Sequence, residues 1–287
     1  MELIVKGHSG YQIDIVREGN DLYVYKRCSD ADKATRLMRQ AAKQEQATTH
    51  RHTGFQTPHI LAAEQNGDNA SIKMEYIYSR NFMEYFESAG FEQIDYFIHT
   101  LIRYIEEELA LSPLQTIDTR IVTDKFGSVE KTVNANPNIR KDERLADIME
   151  KSKRLLTGIN EWKMPIGICH GDLTFSNILF TANTYYLIDF LDSFIESPLL
   201  DIVKLRQDSA HIWSAKLYTK PYDPIRLGII CQKIDSELDT YFQRYDWYKE
   251  YYRPLQVLNL LRVLQYAKED AIIDDLETEI SKLLYAV

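Results

Sequence analysis

Ile168-Cys169-His170-Gly171-Asp172-Leu173-Thr174-Phe175-Ser176-Asn177-Ile178-Leu179-Phe180, followed by Tyr186-Leu187-Ile188-Asp189-Phe190-Leu191-Asp192, is the stretch whose reading decides the fold. Two apolar runs of β character, Asn177 to Phe180 and Tyr185 to Phe190, flank Thr181-Ala182-Asn183-Thr184 and read as a hairpin. A hairpin sets the start of one strand beside the end of the other. Asn177 and Asp189 are therefore expected as neighbours, with Asp172 close by in the loop before the first strand.

Oxygen donors from an Asn and an Asp suit a hard cation such as Mg²⁺, which takes few protein ligands and keeps waters and phosphate oxygens. A nearby carboxylate that is not a ligand is placed to accept a proton from a hydroxyl. These are the parts that phosphoryl transfer requires. One such tripeptide alone would be an ordinary strand end; the ordered set, spaced to build a single site, is what carries the reading.

His170-Gly171-Asp172 with Asn177 after it, then Ile188-Asp189 with Asp192, resembles the aminoglycoside phosphotransferase and choline kinase family. The resemblance implies an α+β, bilobal, protein-kinase-like fold. Residues 1–77 would form a nucleotide-clamping lobe, a small antiparallel sheet with one helix. Residues 78–287 would form a mainly helical catalytic and substrate-binding lobe. It implies a small-molecule kinase using ATP or GTP with Mg²⁺. Asp172 would be the catalytic base and Asn177 and Asp189 the metal ligands, with Asp192 as a further metal or water-shell ligand. Choline kinases have Asn-Asp after the loop His and a Glu three after the metal Asp. Here those positions hold Gly171-Asp172 and Asp192, so a sugar-derived alcohol stands beside an amino alcohol as acceptor.

Working outward, residues 1–28 read as three strands, Leu3-Ile4-Val5, Tyr11 to Val16 and Leu22 to Lys26. Gly7, Ser9 and Gly10 lie between the first two, where backbone N–H groups approach phosphates. By the resemblance Lys26 holds the α/β-phosphates. Ser29-Asp30 caps a helix to about Thr48. Its stripe Met38, Ala41, Ala42 and Glu45 puts Glu45 at the end of the inward face, which by the resemblance makes it the expected ion-pair partner of Lys26, with Gln40 and Gln44 as the neighbouring uncharged alternatives. Residues 58–64 and 71–77 read as two more strands, and the resemblance makes Glu75, Tyr76 and Ile77 the hinge that meets the adenine edge.

Beyond the hinge, helices are expected from Ser79, from Phe91 to Leu109 and from Glu143 to Trp162. Residues 121–122 and 129–133 suggest a small hairpin. By the resemblance Asp201 matches a second Asp past the metal motif that starts a helix as its cap, Asp223-Pro224 starts another, and helices follow over 254–268 and 270–284. The aromatic run Tyr241 to Tyr252 reads either as packing or as a box for a cationic amine or sugar ring.

Composition bounds the partners. The chain has 287 residues, 45% hydrophobic, with a net charge of −9, which argues against nonspecific binding to nucleic acid or an anionic membrane. Cys28, Cys169 and Cys231 have neither disulfide nor metal spacing, and no signal or membrane-spanning run is visible. A cytoplasmic protein acting on a small-molecule hydroxyl acceptor is expected. Two rival classes are a pseudokinase acting through a partner and a kinase-fold enzyme that modifies a protein. The complete Lys, Asp, Asn and Asp positions argue against the first. The lack of an Ala-Pro-Glu motif after the metal segment argues against an ordinary protein kinase.

Overall fold

The computed structural model describes residues 3–6, 10–50, 52–182 and 184–285. Gly7 and Ser9, expected in the phosphate loop, and Asn183 of the hairpin turn lie outside these residues. The chain divides into two compact units, residues 1–104 with 170–193, and residues 105–169 with 194–287.

The first unit opens with strands β1 (Leu3–Lys6), β2 (Gln12–Glu18) and β3 (Asp21–Ser29) and helix α1 (Ala31–Thr49). Then come β4 (Phe55–Gln56), β5 (Ile60–Asn66) and β6 (Asn69–Glu75). The main sheet has the order β1-β2-β3-β6-β5, antiparallel throughout. That is the small antiparallel sheet with one helix expected from the sequence. Asp30 caps α1 by accepting from Lys33 N at 2.9 Å. Ala34, Leu37 and Ala41 of the helix pack on Ala70, Ile72 and Met74 of β6 and on Tyr11, just before β2. Val24 and Cys28 join this core from β3, so strand alternation turns Lys26, midway between them, to the same face.

Helices α2 (Phe82–Ser88) and α3 (Phe91–Ala110) follow. Asn81 and Glu84 form a capping box at the start of α2. The hairpin is present: β9 (Ile178–Phe180) pairs antiparallel with β10 (Tyr185–Leu187), and β4 joins it parallel to β10. Phe82, Tyr85, Phe86 and Phe97 enclose Phe175 and Phe180, with the Phe86 and Phe175 rings 5.4 Å apart and perpendicular. Phe175, in a single 3₁₀ turn before β9, thereby ties the preceding loop into an aromatic core.

The second unit is mainly helical. It holds the end of α3, β7 (Leu114–Ile117), α4 (Thr119–Ala135), α5 (Glu143–Thr157) and β8 (Trp162–Pro165). Then come α6 (Pro198–Ser209), α7 (Trp213–Lys216), α8 (Pro224–Phe242), α9 (Asp246–Leu264) and α10 (Asp270–Tyr285). Four sequence expectations are corrected here. Residues 119–135 are one helix, because Val122, Phe126, Val129 and Val133 are buried at helical spacing. The helix expected to reach Trp162 ends at Thr157, and Trp162–Pro165 pairs with β7. Ser197, not Asp201, caps α6, its Oγ accepting from Leu199 N at 3.2 Å, while Asp201 is fully buried in the first turn. The helix expected over 254–268 is α9, which carries Pro254 inside it and takes in the second half of the aromatic run.

Candidate active site

The loop from His170 to Asn177 is built around a buried neutral imidazole. Asp172 N donates to His170 Nδ1 at 3.2 Å, which leaves the ring proton on Nε2, 2.9 Å from Ile188 O. Burial holds this imidazole down to about 4, against an ordinary value of 6.5. His170 O accepts from Leu191 N at 3.0 Å, and the Phe190 ring lies 4.3 Å from the imidazole. His170 is thus a structural cross-link between the loop and the segment after β10. Gly171 has a φ of 87°, and a Cβ there would meet Leu191 O at 1.9 Å. The close approach of two backbones requires glycine at this position.

Asn177 Nδ2 donates to Asp172 O at 2.8 Å and to Asp172 Oδ2 at 3.2 Å, which fixes the direction of that carboxylate. Ile188 N donates to Asn177 O at 3.1 Å, extending the hairpin by one pair and setting Asn177 beside the end that carries Asp189. Asp189 stands in the left-handed region with a φ of 62°. Its Oδ1 meets Lys26 Nζ at 2.9 Å. Asp172, Asn177, Asp189 and Lys26 are therefore brought together inside one unit. With both amide hydrogens of Asn177 turned to Asp172, its Oδ1 remains as an acceptor. Together with the Asp189 carboxylate it is a hard-oxygen donor set of the kind Mg²⁺ takes. Asp192 is exposed, with Arg39 Nη1 3.9 Å from its Oδ2.

Glu45 is not brought to the site. It is exposed on α1, and Lys26 donates instead to Gln40 Oε1 at 3.0 Å. The buried face of the helix is Ala34, Leu37, Gln40, Ala41 and Gln44, rotated by about one residue from the expected stripe. Sequence reading also missed Lys43, whose Nζ donates to Leu191 O at 2.7 Å. The signal was available: Gln40 and Lys43 follow Leu37 at three-residue steps along one side of the helix.

Elsewhere, Gly10 has a φ of 72° and its carbonyl accepts from Lys33 Nζ at 3.4 Å. Glu75 ends β6 with its carboxylate on His59 N at 3.0 Å, and the Tyr76 ring lies 5.0 Å from that of Tyr78. Ile77 is half-buried beside them. In the aromatic run Tyr248 OH and Arg206 are hydrogen-bonded, Arg206 lies over the Tyr252 ring, and Trp247, Tyr248 and Tyr251 are buried, which favours packing. No helix among the described residues is long and apolar enough to cross a membrane.

Residues 128–255, which contain the whole 168–192 segment, match the model of the phosphotransferase enzyme family. No curated protein sequence matches the chain. Among solved structures, the GDP and kanamycin complex of APH(2")-IIia is similar over 99% of this chain and 92% of its own, with a TM-score of 0.65 and 13% identity. A thermostable aminoglycoside phosphotransferase APH(4)-Ia in ternary complex with ADP and hygromycin B covers 99% and 93%, with a TM-score of 0.60 and 10% identity. A glucosamine kinase covers 98% of this chain and 74% of its own, with a TM-score of 0.59 and 13% identity. The chain thus has the kinase-like α+β fold, and across residues 128–255 it carries the pattern of the phosphotransferase enzyme family, as the motif at 170–192 led us to expect.

Proposed function

We propose that this chain is a small-molecule kinase that transfers the γ-phosphate of ATP to a hydroxyl of a sugar, amino alcohol or related compound. The observation that carries the reading is the placement in one compact unit of two hydrogen-bonded pairs, Asn177 with Asp172 at 2.8 and 3.2 Å and Lys26 with Asp189 at 2.9 Å, set side by side by the backbone bond from Ile188 N to Asn177 O at 3.1 Å. Asp172 accepts the proton as the acceptor oxygen bonds to phosphorus and the bond to the diphosphate breaks. Asn177 aims that carboxylate. Asn177 and Asp189 would hold Mg²⁺, with Asp192 as an outer ligand, and the ion would supply charge neutralisation of the phosphates. Lys26 contacts the α/β-phosphates. Gly10 belongs to the phosphate loop together with Gly7 and Ser9. Residues 75–77 meet the base at the boundary between a nucleotide-clamping part, 1–77, and a catalytic and acceptor-binding part, 78–287.

The solved relatives hold ADP in one case and GDP in another, with hygromycin B or kanamycin, which supports nucleotide and amino-sugar-like ligands and keeps GTP beside ATP as donor. The acidic net charge of −9 suits a cationic acceptor better than nucleic acid, and a nucleotide donor with three cysteines that lack disulfide spacing supports a cytoplasmic setting. The test is transfer of γ-labelled phosphate to a panel of sugars, amino sugars and amino alcohols. Asp172→Asn is expected to lower turnover roughly 10²–10⁴-fold with nucleotide affinity nearly unchanged. Near wild-type turnover in that variant would remove the assignment. Label appearing on protein would point to the protein-modifying class instead.

A further inference from the structure

Lys26 is 5% exposed, so its ammonium is held by protein groups rather than water. Among the described residues three groups meet it: Asp189 Oδ1 at 2.9 Å, Gln40 Oε1 at 3.0 Å and the Tyr11 ring, with its centroid at 4.7 Å. Only Asp189 brings a formal negative charge, and among the described residues Lys26 makes no other ion pair. A buried charge that loses its counter-charge is strongly disfavoured. The helix group that meets Lys26 is neutral here, where a kinase-like ion pair would use a glutamate. A glutamate would keep Lys26 neutralised whatever happened at Asp189. Gln40 holds the ammonium in place but, among the described residues, leaves its charge balance to Asp189.

We propose that Lys26 latches Asp189, so that a divalent cation gains this carboxylate only when the phosphates of a nucleotide replace it as the counter-charge of Lys26. The inference rests on Asp189 being a metal ligand and adds a coupling to it. A cation at Asp189 with Lys26 still beside it faces a like charge; phosphate oxygens balance both. By linkage the coupling is reciprocal: each ligand raises the affinity for the other. Gln40 is a positioning residue in this scheme, and its neutrality is what makes the two ligands depend on one another. The same stretch of α1 carries Lys43 to Leu191 O and Arg39 towards Asp192, so the latch sits in a segment held on several sides.

The test is titration of the full chain with Mn²⁺ alone, read by its electron paramagnetic resonance signal, without nucleotide. Lys26→Met is expected to bind Mn²⁺ at least about tenfold more tightly than wild type, because the buried partner of Asp189 is gone. Removing any nearby cation favours Mn²⁺ a little. Arg39→Met removes an exposed one and is expected to stay within about threefold of wild type. Gln40→Glu gives Lys26 a second carboxylate and should move wild type towards Lys26→Met; it carries the test should Lys26→Met not fold. Equal affinity in wild type, Lys26→Met and Gln40→Glu, or an equal gain in Arg39→Met, overturns the latch and leaves the proposed reaction standing. Asp189→Asn added to Lys26→Met should abolish the gain. Mn²⁺ binding that survives in this double variant overturns the metal assignment itself.

Discussion

At the scale of single residues, Gly171 has the least room for a side chain among the described glycines. Its φ of 87° would strain any L side chain, and a Cβ would lie 1.9 Å from Leu191 O. That carbonyl cannot turn away freely, because it also accepts from Lys43 at 2.7 Å. Gly171→Ala therefore combines two costs, the left-handed conformation and the displacement of Leu191, and is expected to destabilise by roughly 3 kcal/mol or more. Gly19 offers the control, with a φ of 64° and no atom within 4 Å of a Cβ. Gly19→Ala should cost only about 1 kcal/mol, the conformational part. Urea melts of the two variants separate these causes. Equal losses would mean that backbone approach is not what demands glycine at 171.

At the scale of elements, the catalytic loop and the segment after β10 are joined through one imidazole. His170 donates to Ile188 O in either protonation state but accepts from Asp172 N only while it is neutral. Its value in the fold is about 4, below the ordinary 6.5 that the unfolded chain would show. Between those values the unfolded chain binds more protons than the folded one. The stabilising contribution is complete above pH 6.5 and is lost as the pH falls towards 4, by about 2–3 kcal/mol between pH 7 and 4.5. Carboxylates add their own pH dependence, so the comparison is with His170→Asn, which cannot titrate. Denaturation at pH 7 and 4.5 should show a steeper fall for wild type than for the variant; parallel falls would remove His170 as the acid-sensitive link.

The same elements explain which parts of the molecule could be read in advance. Asp172, Asn177 and Asp189 lie within 18 positions of sequence, and a hairpin alone brings them together, so local pattern sufficed. The partner of Lys26 depends on which way a helix turns over a sheet. Of the expected stripe Met38 and Ala41 do pack on the sheet, but Ala42 and Glu45 are exposed, and the packed face takes in two glutamines, Gln40 and Gln44, whose polarity hides it. Gln44 earns its burial by donating to Pro58 O at 2.9 Å, a contact that periodicity does not register. In α4 the β-branched residues and Gly127 favour a strand reading. The buried set Val122, Phe126, Val129 and Val133 shows packing overriding propensity. Strands β7 and β8 were missed because each has only four residues and its partner lies 45 to 51 positions away.

At the scale of the whole molecule, the chain passes between its two units at 104–105, 169–170 and 193–194, and every residue proposed for nucleotide and metal belongs to the first. A ligand that binds a folded unit stabilises that unit by RT ln(1 + [L]/Kd), roughly 2.7 kcal/mol at a hundredfold excess over Kd. The energy goes first to residues 1–104 and 170–193. It reaches the second unit only so far as the two unfold together, which is the distinction that calorimetry makes. With Mg²⁺ and ADP, a single cooperative transition should move upward as a whole, by roughly 5 °C or more. Two resolved transitions should show the shift in one of them alone. Asp189→Ala should lose the metal-dependent part of the shift in either case. If Mg²⁺ and ADP leave both transitions of wild type in place, the nucleotide assignment of the first unit fails, whatever the fold. A shift confined to a transition that proteolysis assigns to residues 105–169 and 194–287 would move the nucleotide to the other unit and remove Lys26 from the reaction.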